Sequence, residues 1–106
     1  MRNIDKICIT RVKNINTRKI IVSNRYNRKV YANLQEAVEN KMNMTPSPLD
    51  LSKEIKKGNF LKPIRLKEIK KEGKVFYDLT EGRLRYWSWV IAYGWKKSIP
   101  SLVWKS

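Results

Sequence analysis

Histidine is absent from this 106-residue chain, and cysteine occurs once, as Cys8. Without histidine, neither a Ser-His nor a Cys-His nucleophile can form, and a single cysteine excludes an intrachain disulfide and the usual zinc sites. No apolar run approaches the length of a membrane span, and the N-terminal stretch lacks the apolar segment of a secretory signal. These absences predict a cytoplasmic protein that does not enter a membrane, with one domain over residues 1–106.

Acidic residues are also scarce. The chain contains nine Asp and Glu residues and 24 Lys and Arg residues, which gives a formal net charge of +15. Such a charge on a small body repels itself unless polyanions neutralise it, so the sequence predicts a nucleic-acid partner, DNA first. A merely solubilising surface is the alternative. The charge is concentrated in residues 1–31 and 53–75, which flank a mildly acidic segment over residues 32–52.

The hydrophobic pattern predicts a mixed α/β chain in which strands and helices alternate. Asn33 and Glu36 have the spacing of a helix-capping box, and Leu34, Ala37, Val38 and Met42 then share one face. A second helix is predicted between Ser47-Pro48 and Gly58, with Leu51 and Ile55 buried. Strands are predicted at residues 8–12, 19–22, 64–66, 75–79 and 101–104, and residues 67–74 are read as a charged connection with Gly73 in its turn.

The stretch TEGRLRYWSWVIAYG, residues 80–94, predicts a helix over residues 83–93 whose start suits an anion. A helix start leaves backbone N–H groups unpaired, and Gly82 would let a phosphate approach them closely. Arg83 and Arg85 would add forked donors. Glu81 is either a metal-binding carboxylate or the ion-pair partner of an arginine.

The same helix is apolar on nearly all sides, which is typical of a buried helix. Its aromatic residues include Tyr86, Trp87, Trp89 and Tyr93. Packing in the core is the favoured interpretation, and an aromatic platform that stacks nucleic-acid bases is the alternative. A mixed arrangement, with Tyr86 or Trp89 at the rim, is a third.

Residues 49–104 resemble the ParB/sulfiredoxin-like fold, as found in the ParB-like nuclease domain family. The resemblance rests on the following residues, in order along the chain: Leu49-Asp50-Leu51 in the leading helix, Gly58, Lys62-Pro63-Ile64, Tyr77, Gly82, Arg85 and Ile99-Pro100. It implies a small mixed sheet with packed helices and a phosphate held at the Gly-x-x-Arg helix start. Arg83 stands where sulfiredoxins place their reactive cysteine, so that chemistry is not expected. No resemblance covers residues 1–48.

Three functions stay open on this reading. The first is DNA binding through phosphate contacts, supported by the net charge and the helix start. The predicted residues for it are Gly82, Arg83, Arg85, Lys56, Lys57, Lys62, Lys70 and Lys71. The second is a metal-dependent DNA nuclease using Mg²⁺ or Mn²⁺, with Glu81 as metal ligand and Glu81, Asp78 and Glu54 as catalytic acids. The third is a phosphotransferase or NTPase that binds a nucleoside triphosphate. The oligomeric state is open, a homodimer included.

Overall fold

The computed structural model describes residues 12–22, 31–58 and 62–105 of the chain. These residues form three α-helices and a five-stranded mixed sheet, so the predicted mixed α/β class is confirmed. The helices are α1 (Leu34–Val38), α2 (Pro48–Lys56) and α3 (Arg83–Tyr93). The strands are β1 (Val12–Ile15), β2 (Ile20–Ile21), β3 (Ile64–Lys71), β4 (Lys74–Glu81) and β5 (Ile99–Lys105). Residues 8–11 of the first predicted strand lie outside the described residues.

The sheet order is β1-β5-β3-β4-β2, which places β3 at the centre. β3 pairs with β4 in antiparallel and with β5 in parallel orientation, and a bulge between Arg65 and Leu66 interrupts the β3–β4 register. β1 is antiparallel to β5, and β2 is parallel to β4. The strands predicted at residues 64–66, 75–79 and 101–104 are thus parts of β3, β4 and β5, which are neighbours in one sheet.

One face of this sheet lies in the hydrophobic core beneath α3. Ile64, Leu66 and Ile99 are fully buried, and Leu79 is 2% exposed. From α3 the core takes Tyr86, Trp87, Trp89 and Val90, all buried. Core packing, rather than a base-stacking platform, is thus the correct reading of α3. Tyr86 is not at the rim, because its hydroxyl donates to the buried carbonyl of Thr17 at 3.1 Å.

The helix caps form as the sequence predicts. The Asn33 side chain accepts from the Glu36 N–H at 2.9 Å, and the Ser47 hydroxyl accepts from the Asp50 N–H at 3.1 Å. In α2, Ile55 is buried and Leu51 is half-buried. Each cap satisfies a donor that the helix start leaves unpaired.

The predicted apolar face of α1 is wrong beyond its first turn. The helix ends at Val38, and Asn40 and Asn43 then take left-handed backbone angles, with φ of +52° and +51°. Asparagine tolerates that region better than most residues, so it ends a short helix readily. As a consequence Val38 is 49% exposed and Met42 is 45% exposed.

The charged connection predicted over residues 67–74 is also wrong. These residues continue β3 to Lys71 and begin β4 at Lys74, with Glu72 and Gly73 as a two-residue turn. Both turn residues have positive φ, +53° and +78°, which is the geometry of a type I′ hairpin turn. Charged residues have a weak local preference for strands, so the sequence alone does not extend β3 past Leu66. In the structure, hydrogen bonds to the neighbouring strands outweigh that weak preference.

Candidate nucleic-acid interface

Gly82 begins α3 in a conformation that requires glycine. Its φ is +103°, and its carbonyl accepts the first helical hydrogen bond, from the Tyr86 N–H at 2.8 Å. A Cβ atom on Gly82 would lie 2.8 Å from Cγ2 of Ile64 and 3.0 Å from Nη2 of Arg85. The glycine therefore serves the fold by letting the helix start approach β3 closely. Whether it also admits a ligand stays a prediction.

Arg85 ties the start of α3 to the start of β3. Its Nη1 donates to the backbone carbonyls of Lys62 and Pro63, at 2.9 and 2.6 Å. Nη2 lies 3.8 Å from Oε2 of Glu81, and only 18% of the side chain is exposed. Burial lowers the pKa of Arg85, the nearby Glu81 raises it, and the Arg65 charge lowers it. The guanidinium stays charged at neutral pH, and much of its donor capacity is used within the protein.

Arg83 is buried, with 3% of its surface exposed. Its Nη1 lies 3.4 Å from the carbonyl of Tyr31, which also accepts from the Trp87 indole at 3.0 Å. Burial lowers the pKa of this guanidinium as well. The phosphate contact of Arg83 stays a prediction. Its burial counts against that contact, since phosphate would reach the side chain only if the surrounding chain moved.

Glu81 lies between two guanidinium groups. Its Oε2 is 3.7 Å from Nε of Arg65 and 3.8 Å from Nη2 of Arg85, and 56% of the side chain is exposed. The structure therefore contains the ion pairs that one of the two interpretations of Glu81 predicts. Because one carboxylate serves two cations, this corner keeps a net positive charge next to the start of α3, whose Gly82 cap has no side-chain hydrogen bond.

The three acids predicted for catalysis stand on two elements, Glu54 on α2 and both Asp78 and Glu81 on β4. Glu54 is exposed on α2 and lies 3.2 Å from Lys57. Asp78 is 1% exposed in β4, and Glu81 ends that strand. Among the residues that the structure describes, no three acidic or cysteine side chains form a group that could hold a metal ion.

The predicted lysines are exposed but lie on different elements. Lys62 lies just before β3, and Lys56 and Lys57 lie at the end of α2. Lys70 and Lys71 lie at the far end, a strand length of about 23 Å away. There they join Lys74, which is the cross-strand partner of Lys71. We call Lys70, Lys71 and Lys74 the hairpin lysines. The structure thus groups Lys70 and Lys71 with Lys74 in the β3–β4 hairpin, whereas Lys56 and Lys57 belong to the end of α2.

Sequence reasoning missed Arg65, Lys67 and Lys74. For Arg65 and Lys67 the signal was present in IRLK, residues 64–67, where basic residues alternate with Ile and Leu at the period of a strand. Alternation places Arg65 and Lys67 on the sheet face opposite the buried Ile64 and Leu66. These cations therefore belong to the surface and not to a loop.

No family model, curated protein or solved structure matches this chain. The resemblance to the ParB/sulfiredoxin-like fold accordingly stays a prediction. Within residues 12–22, 31–58 and 62–105, no helix combines the length and apolarity that crossing a bilayer requires.

Proposed function

We propose that this protein binds nucleic acid by contacting the phosphate backbone through exposed lysine and arginine side chains, without reading base sequence. The formal net charge of +15 supplies the attraction, because each phosphate that a cation neutralises releases counterions. The exposed cations at the two ends of β3 and the positive corner around Arg65 and Arg85 support the same function.

The hairpin lysines are the observation that best supports the proposal. Lys71 and Lys74 are directly opposed across the β3–β4 pair, Lys70 is adjacent, and all three are exposed. Like charges directly opposed on neighbouring strands destabilise a sheet. Glu72 in the turn offsets only part of that charge. A polyanion bound at this end of the sheet would offset the rest, and a function in phosphate binding explains why the chain keeps the arrangement.

The test is the salt dependence of binding to a labelled 20-base-pair duplex. We expect the logarithm of affinity to fall linearly with the logarithm of salt concentration, by about 0.9 for each phosphate contact. Lys71→Gln should reduce that slope by about 0.9, and the triple glutamine variant of the hairpin lysines by up to about 2.7. These exposed side chains suit the test better than Arg85, whose loss would also remove contacts within the fold.

Lys41→Gln is the matched control. It removes one exposed lysine from the mildly acidic segment, where Lys41 lies 3.7 Å from Glu39. We expect its salt slope to equal that of the unaltered protein. If the protein binds neither duplex nor single strands at low salt, the proposed function is wrong. If it binds but the triple variant keeps the full slope, the hairpin lysines are not the contact surface.

The nuclease and the nucleotide-dependent phosphotransferase stay predictions drawn from the resemblance. No contact among the described residues favours either over simple binding.

A further inference from the structure

The sheet has a second face, opposite the core, with an unusual composition. Strand alternation and register put on it the side chains of Val12, Lys67, Ile69, Phe76, Leu102 and Trp104, which we call the outer face. Several of these residues are register partners of one another, and the pairs span four neighbouring strands. Val12 pairs with Leu102, Lys67 with Trp104, and Ile69 with Phe76. The outer face is thus one continuous surface of mixed apolar and basic side chains.

Trp104 is the most informative residue of the outer face. Its exposed fraction is 45%, whereas Trp87 and Trp89 are each less than 10% exposed. Trp95 is also partly exposed, but its ring lies 6.4 Å from Tyr86 and 6.3 Å from Trp87, so it extends the core. The indole of Trp104 has no such ring contact with another described residue. Val12, the register partner of Leu102 on the same face, is 55% exposed. Contiguous exposed apolar area commonly marks a binding surface.

The charges on this face identify the partner. Lys67 lies beside Trp104 in the register, and Lys71 and Lys74 continue the face toward the hairpin turn. By register, Asp78 lies opposite Lys67 and Glu81 lies opposite Arg65, so two acids belong to this face among the described residues. Asp78 is 1% exposed, and Glu81 lies between the guanidinium groups of Arg65 and Arg85. The cations Arg65, Lys67, Lys71 and Lys74 outnumber these acids, so the face is net cationic as well as aromatic. A second copy of this chain would bring like charges together, so self-association through the outer face is disfavoured.

We infer that the outer face binds single-stranded nucleic acid, with bases stacked on Trp104 and Phe76 and phosphates held by Lys67, Lys71 and Lys74. This deepens the proposed function and rests on it. Single strands expose the faces of their bases, which stack on aromatic side chains, whereas a duplex hides them. Trp104 and Phe76 lie on strands separated by β3, two strand spacings across and two residues along the sheet, which is about 12 Å. An extended strand of a few nucleotides reaches both.

The experiment compares four labelled probes at one salt concentration: dT12, U12, a 12-base-pair duplex, and a 12-mer of abasic deoxyribose phosphates. We expect Trp104→Ala to weaken binding to dT12 and U12 by about tenfold or more, since stacking on one aromatic contributes that much. Affinity for the duplex and the abasic 12-mer should change less than twofold, because those probes offer phosphate but no accessible base. Trp104→Phe should retain most of the affinity.

Leu49→Ala is the control, since it removes an exposed apolar side chain of 43% exposure from α2. It should leave all four affinities unchanged. Equal loss on all probes in Trp104→Ala, or no loss on any, would overturn the stacking inference while the proposed function stands. Absence of binding to every probe by the unaltered protein would refute both. A dimer that Trp104→Ala dissociates, measured by light scattering, would make the face a self-interface and also overturn the inference. Comparing dT12 with U12 shows whether DNA or RNA is preferred.

Discussion

Gly82 and Arg85 of the Gly-x-x-Arg motif make contacts that stabilise the fold. Arg85 supplies two hydrogen bonds to the carbonyls of Lys62 and Pro63. Charged donors to such carbonyls stabilise a protein by about 1.5–3 kcal/mol each. Gly82 provides the space that this guanidinium and Ile64 occupy. The motif is therefore explained by packing between α3 and β3, and an anion would have to share Arg85 with those carbonyls.

We predict that Gly82→Ala destabilises the protein more than Gly58→Ala. Both glycines have positive φ, +103° and +85°, so alanine is strained by about 1–2 kcal/mol at either site. At Gly82 the new Cβ would also lie 2.8 Å from Cγ2 of Ile64. At Gly58 no atom lies within 4 Å of the position that a Cβ would take. Urea unfolding should show an additional loss of about 1–3 kcal/mol for Gly82→Ala, the usual cost of overpacking. Equal losses would show that Ile64 shifts at no cost.

Elements of the sheet are defined by pairing more than by local composition. β3 and β4 form a hairpin around Glu72 and Gly73 because a type I′ turn matches the right-handed twist of the two strands. The same hairpin presents the hairpin lysines at its end and Phe76 on the outer face. Its stability consequently determines how rigidly the proposed binding surface is held.

Glu72→Asn should stabilise the hairpin, because asparagine tolerates the left-handed region better than glutamate and Asn-Gly is a preferred type I′ pair. We expect a gain of about 0.5–1 kcal/mol in the free energy of unfolding, measured in urea. Glu68→Gln is the matched control, since it removes an acid from the same hairpin without altering the turn. If Glu72→Asn is no more stable than Glu68→Gln, turn geometry does not limit this element.

The molecule as a whole is strongly cationic, with a radius of gyration of 14.2 Å. At about 10 mM salt the Debye length is roughly 30 Å, so charges across the entire body repel one another. Raising salt to about 0.1 M shortens that length to roughly 10 Å. Self-repulsion disfavours the compact state, and screening or a bound polyanion relieves it.

We therefore predict that the melting temperature rises with NaCl between about 10 and 300 mM. If screening raises the free energy of unfolding by about 1 kcal/mol, the melting temperature of a domain near this size rises by roughly 4–8 °C. The triple glutamine variant of the hairpin lysines should show a smaller rise, because it carries three fewer charges. Calorimetry at a series of salt concentrations measures both. A melting temperature that falls with salt would mean that attractive ion pairs, rather than repulsion, dominate the electrostatics of folding.

The sequence by itself determined the features that depend on neighbours along the chain. Ser47, Pro48 and Gly58 fix the ends of α2 through capping and backbone angles, and the apolar run of α3 requires burial. The exclusion of histidine chemistry and the excess of positive charge also follow from composition alone. Each of these rests on local or additive physics, so no knowledge of distant contacts is needed.

Only the tertiary structure decided which residues meet across the chain. It extended β3 through charged residues, ended α1 before Met42, and turned Arg85 toward the carbonyls of Lys62 and Pro63. It also placed Trp104 on the face opposite the core, beside Lys67. Strand register and ion-pair choice depend on groups tens of residues apart, whose mutual hydrogen bonding and burial outweigh the weak preferences that each segment has alone.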